Sequence, residues 1–104
     1  MKFEKCVDAC QQCMAACAQC LDQCCIPNSD MIDCARLCRD CMIICNTTAL
    51  LAASESGQIG AVCKACADLC DACAAECDKY DSDYCRACAE ACRKCADECR
   101  RMAG

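Results

Sequence analysis

Apolar side chains return along this chain at alternating steps of three and four residues, the average spacing of 3.5 that marks the inner seam of helices packed in a bundle. Four runs keep the step: Cys6, Cys10, Cys13, Cys17, Cys20, Cys24, then Cys34, Cys38, Cys41, Cys45, then Cys63, Cys66, Cys70, Cys73, Cys77, and finally Cys85, Cys88, Cys92, Cys95, Cys99. Thiols therefore stand where leucine and isoleucine normally fill a seam. Of the 21 cysteines, only Cys25 is off the pattern. Acidic and basic residues interleave between the seam positions, which predicts a solvated outer face.

The breaks between runs predict four helices, over about residues 2–25, 29–54, 58–79 and 82–102. The first should stop before Ile26-Pro27-Asn28, because the residue preceding a proline is pushed out of helical geometry. Ser29 or Asp30 is suited to cap the second, which carries on through Ala49-Leu50-Leu51-Ala52-Ala53. Ser54-Glu55-Ser56-Gly57 reads as a turn with Gly57 as a left-handed C-cap. Asp81 or Ser82 should cap the fourth helix. Connections this short make neighbours antiparallel, so residues 1–104 predict a single all-α domain, an up-down-up-down four-helix bundle with a cysteine-lined core, about 35 Å long at 1.5 Å per residue.

This topology sorts the remaining apolar residues. Val7, Met14 and Leu21, then Leu37, Ile44 and Leu51, then Val62 and Leu69 run beside the thiol stripes and should seal the seams between helices. One pole gathers Phe3, Leu50, Leu51, Ile59, Val62 and Met102, an expected apolar plug. The other gathers Cys24, Cys25, Met31, Cys34, Cys77, Tyr80, Tyr84 and Cys85, with more sulfur and less aliphatic bulk, and is the expected mouth.

Composition and charge then remove whole classes of function. Three glycines, one proline, one phenylalanine and two tyrosines leave little for turns or a β core. No stretch approaches the roughly 18 apolar residues of a membrane span. A net charge of −5, without a basic patch, argues against a nucleic-acid partner. The segment Met1-Lys2-Phe3-Glu4-Lys5 places charges where an export signal has its apolar stretch, which predicts a cytoplasmic protein. A disulfide scaffold fits poorly, since the count of cysteines is odd and neighbours three or four apart on one helix have poor geometry for an S–S bond.

The thiols carry the candidate chemistry. A column of cysteine forfeits burial energy of about 0.8 kcal/mol for each missing methylene, so something other than packing has set these positions. Metal binding is the simplest demand, with all 21 cysteines as candidate ligands. Soft thiolates without histidine favour Cu(I), Zn(II) or iron–sulfur clusters. Ions that each link two sulfurs, while each sulfur bridges two ions, reach about one ion per thiolate, and only a monovalent ion then leaves the core neutral. Zinc prefers four sulfurs apiece, so a metallothionein-like Zn(II) or Cd(II) buffer would hold few ions and leave negative charge inside. Iron–sulfur clusters usually draw their cysteines from a compact loop motif, which is absent. A redox enzyme needs one thiol activated by a histidine or a helix N-terminus, and none is distinguished in that way. The reading is a non-enzymatic binder of many Cu(I) ions. Buried thiols can remain protonated, so the metal-free chain should still be helical.

With Cys-x-x-Cys and Cys-x-x-x-Cys alternating on four helices, as in Cys85-Arg86-Ala87-Cys88-Ala89-Glu90-Ala91-Cys92-Arg93-Lys94-Cys95-Ala96-Asp97-Glu98-Cys99, the chain resembles the bacterial copper storage proteins over almost its whole length. The missing export signal resembles their cytosolic branch. The resemblance implies a homotetramer of four-helix bundles, each storing or buffering many Cu(I) ions, with a copper chaperone or copper-enzyme client as further partner. It also implies histidines near the open end, and this chain has none. Met31 is then either a transient thioether ligand or a gap-filling core residue. Cys25 either coordinates at the mouth or faces solvent beside Cys24, where it would be the most oxidisable thiol.

Overall fold

A computed structural model describes residues 1–103. Helix α1 spans Glu4–Cys20 and continues directly into a π-helical turn, Leu21–Cys25; α2 spans Ile32–Ala53, α3 Ile59–Cys77 and α4 Asp83–Ala103. These bounds lie within a few residues of the sequence expectation. The bundle measures 41 × 19 × 18 Å. Each helix packs along two neighbours, while the diagonal pairs α1/α3 and α2/α4 make no close backbone approach. Small seam residues, among them the buried Ala9, Ala67, Ala74, Ala89 and Ala96, let the neighbours come together. Val7 is buried, and Met14, Leu21, Leu37, Ile44 and Leu69 pack half-buried against the core as expected, whereas Leu51 and Val62 are half-buried without joining it.

Two caps differ from expectation. Neither Ser29 nor Asp30 caps α2; Met31 holds that place without a side-chain bond, its N–H donating to the Asn28 carbonyl at 3.1 Å. The Met31 side chain is buried, and its packing fixes the start of α2 in place of a polar cap. At the other end of α2 the left-handed residue is Glu55, with φ 55°, and not Gly57. Ser56 N–H donates to Leu51 O at 2.9 Å and Glu55 N–H to Ala52 O at 3.1 Å, the paired bonds of a Schellman closure. Helix α2 ends at Ala53, which puts the left-handed position two residues before the glycine. Ser82 does cap α4, its Oγ accepting the Cys85 N–H at 3.5 Å.

The plug is also built differently. Phe3, Ile59 and Met102 pack on the core there, but Leu50 is 64% exposed. The interior places on α2 belong to Thr48 and Ala52, both fully buried. They continue the three-and-four register beyond Cys45, and the Thr48 hydroxyl is satisfied within the helix by donating to Ile44 O at 2.7 Å. Exposed ion pairs such as Arg93–Asp78 and Arg100–Asp71 link α4 to α3, which confirms the outer face as the place of the charges. That face is not uniformly polar: Met14, Ala15, Ala18, Met42 and the exposed Ile43 line a shallow groove between α1 and α2.

Candidate metal centre

All 21 cysteines are buried and free. Of the two places open to Cys25, the structure takes the inner one: it is 3% exposed and does not face solvent. In a regular α-helix residue 25 would turn away from residue 20. In the π-helical turn, where Ile26 N–H donates to Leu21 O at 2.9 Å, residues five apart stack on one face. Cys25 Sγ accordingly lies 3.9 Å from Cys20 Sγ. No sequence periodicity at 3.5 reveals such a turn; the off-register thiol was its one visible sign.

Sulfurs meet across every packed pair of helices and also across the axis. Between α1 and α4, Cys13–Cys92 and Cys17–Cys88 stand at 3.6 Å, and Cys10–Cys95 and Cys20–Cys85 at 3.7 Å. Between α2 and α3, Cys34–Cys77 and Cys45–Cys66 stand at 3.8 Å and Cys38–Cys73 at 4.0 Å. The diagonals are bridged by sulfur alone, as in Cys6–Cys63 at 3.9 Å and Cys45–Cys95 at 3.8 Å. Cys17, Cys38, Cys73 and Cys88, one from each helix, hold their sulfurs within 4.8 Å of one another. So do Cys13, Cys45, Cys70 and Cys95, and so do Cys20, Cys25, Cys34 and Cys38. Cys10, Cys66, Cys95 and Cys99 form a further such group towards the plugged end, and Cys41 joins Cys17, Cys73 and Cys92 in another.

These spacings suit a metal shared among sulfurs. With metal–thiolate bonds of about 2.3 Å, three ligands around one ion stand about 4.0 Å apart and two opposed ligands about 4.6 Å. Burial pushes the Cys25 and Cys63 thiols up to about 12 and Cys85 up to about 11, while hydrogen bonds from neighbouring thiols pull others down, Cys6 and Cys34 among them, so the empty column shares protons between its sulfurs. Each incoming cation must therefore displace protons, and only neutral metal–thiolate units are comfortable so far from water.

The column ends differently at its two poles. At the plug, Thr48, Ala52 and Phe3 interrupt the sulfur. At the opposite pole sulfur reaches nearest the surface. Cys24, at 8% the most exposed of the thiols, has two acceptors in reach of its single S–H, Ser82 Oγ at 3.4 Å and Met31 Sδ at 3.7 Å, with Cys85 Sγ at 3.9 Å. Met31 thus belongs to the sulfur cluster. Ser82 escaped the sequence reading as a neighbour of Cys24, although its place as helix cap was legible. Tyr84 is 42% exposed, whereas Tyr80 packs half-buried on the core.

Comparison with known proteins agrees with this geometry. No curated protein matches the sequence. The family model described as copper storage protein matches residues 1–104. The Cu(I)-bound copper storage protein BsCsp3 shares 39% identity at a TM-score of 0.94, with 100% of both chains covered. The apo form of copper storage protein 3 from Bacillus subtilis shares 42% identity at a TM-score of 0.90, covering 97% of this chain and 98% of that one. A cytosolic copper storage protein from Streptomyces lividans, loaded with five coppers, shares 34% identity at a TM-score of 0.92 over 97% of this chain and 91% of its own. A thiol column on four antiparallel helices and a family match over the full length lead to one conclusion: the chain belongs to the copper storage protein family.

Proposed function

We propose that this protein is a non-enzymatic store that holds many Cu(I) ions, on the order of one per thiolate, with all 21 cysteines as ligands. The observation that carries the reading is the continuous buried column of free thiols, its tightest pairs 3.6–4.0 Å apart and its groups of four within 4.8 Å, drawn from all four helices. Soft monovalent ions bridging such sulfurs neutralise them as they bind, each thiol giving up its proton to solvent. The rigid bundle brings the ligands together before metal arrives, so loading needs no refolding. Copper passes through the Cys24, Met31 and Cys85 pole, where a thioether binds Cu(I) weakly enough to hand it on and no aliphatic plug intervenes.

The store works in the cytoplasm, consistent with its likeness to the cytosolic Streptomyces protein and with the lack, among the described residues, of any helix long and apolar enough to cross a membrane. It exchanges copper with a chaperone or a copper-enzyme client. Its copies associate into a homotetramer, and the apolar groove between α1 and α2 is the face suited to that contact. X-ray absorption at the copper edge of loaded protein tests the site: the reading requires sulfur-only coordination with copper neighbours, and nitrogen or oxygen ligands in quantity would overturn it.

A further inference from the structure

At the sulfur-rich pole sits a carboxylate that copper binding does not explain. Glu76 is 9% exposed, and a buried carboxylate is strongly disfavoured unless its oxygens find donors. Both do: Oε1 accepts from Lys79 Nζ at 2.9 Å and Oε2 from the Tyr80 hydroxyl at 2.9 Å. Tyr80 lies just past the end of α3, its own N–H bonded to Cys77 O at 3.2 Å. Its ring packs on the thiol core. The bond to Glu76 on α3 holds the phenol within one helical turn of Cys77. On that side of the pole Cys34 and Cys77 face each other at 3.8 Å, each only 1% exposed.

The chain has one phenylalanine and two tyrosines, so an aromatic ring at each pole is a large share of its supply. Phe3 packs at the plugged pole with only the flexible Lys2 ammonium over its ring, 5.2 Å from the centroid. Tyr84, at the sulfur pole, is largely in solvent. Only Tyr80 is both packed on thiols and tied by a hydrogen bond to a buried charge, a bond of the stronger kind.

We propose that Tyr80 is a shutter over Cys34 and Cys77, latched by Glu76, and that release of this latch sets how fast the thiols beneath exchange partners with solvent. Tyr80 is a positioning residue; it does not touch the metal. Opening breaks the phenol–carboxylate bond and lifts one short connection, leaving the helices intact, the kind of local event that precedes global unfolding. The use of the shutter rests on the copper-storage reading; its existence does not.

The test uses the reduced, metal-free protein, pulsed with iodoacetamide and read cysteine by cysteine by mass spectrometry. Tyr80→Phe, which keeps the ring and loses the latch, should label Cys34 and Cys77 about 10-fold faster, the effect of losing one good hydrogen bond. Tyr80→Ala should label them faster still. Tyr84→Ala should leave them at the wild-type rate, and Cys17, deep in the column, should be unchanged in all three. Copper-loaded variants should release Cu(I) to a chelator in the same order with unaltered capacity. Wild-type labelling rates at Cys34 and Cys77 in Tyr80→Phe and Tyr80→Ala, or equal acceleration at Cys17, would overturn the shutter. A wild-type protein that retains no copper would instead sink the storage reading, with the labelling result still deciding the shutter.

Discussion

Cys20 and Cys25 stand five residues apart in sequence and 3.9 Å apart at sulfur, a pairing that a π-helical turn permits and an α-helix does not. The turn draws the one off-register thiol into the group with Cys20, Cys34 and Cys38. Native, metal-free protein should therefore alkylate Cys25 no faster than Cys20. Cys25→Ala should keep the bundle helical, lower its stability by about 1 kcal/mol for the lost buried sulfur, and lower copper retention by about one ion. Rapid alkylation of Cys25 with full copper retention in the variant would show a thiol outside the column.

The raised thiol pKa values give the metal-free bundle a defined alkaline limit. Burial holds Cys25 and Cys63 up at about 12 and Cys85 up at about 11, above the ordinary thiol range near 9. For a group whose folded pKa is raised, the stabilisation is fully present below the unfolded pKa and is lost as pH rises through the folded one. These three thiols should contribute stability that is fully present up to about pH 9 and lost between about pH 9 and 12. Loaded protein, with thiolates already neutralised by metal, should not follow. Denaturant melts by far-UV circular dichroism across this range measure both, and an apo protein already unstructured at pH 7 would contradict a helix bundle that folds on protonated thiols.

Glu55 occupies the left-handed corner after α2, a conformation that strains any residue with a Cβ. Glycine removes the strain while adding backbone entropy to the unfolded chain, so Glu55→Gly should stabilise by about 0.5–1 kcal/mol, raising Tm by about 2–6 °C. Gly57→Ala, at a residue without positive φ and with open space around its Cβ position, should be neutral or slightly stabilising. The opposite ranking, with Gly57 the sensitive position, would put the left-handed residue where the sequence alone suggested it.

Register made most of the fold and nearly all of the candidate site legible, because a 3.5-residue repeat of one side chain fixes both the helix and its inward face. It fixed Cys6 through Cys24 and the three later runs without reference to any contact. Departures arose where packing overruled local signals. Met31 took the cap of α2 because its buried side chain mattered more than a polar cap from Ser29 or Asp30. Leu50 turned outward because Thr48 and Ala52 already held the interior positions, a fact visible in the register once it is continued past Cys45. Glu76 gave no sequence signal, since a glutamate beside a seam looks like any other surface charge until its neighbours Lys79 and Tyr80 are seen to close over it.

The central claim is that the thiol column is a filled or fillable store of Cu(I), and its most direct measurement is a count. Reduced, metal-free protein is titrated anaerobically with Cu(I) in the presence of a strong chromogenic chelator, and the ions withheld from the chelator are counted per chain. The account predicts retention approaching one ion per thiolate, on the order of 20 per chain. Retention of only a few ions, or immediate loss of copper to the chelator, would contradict it.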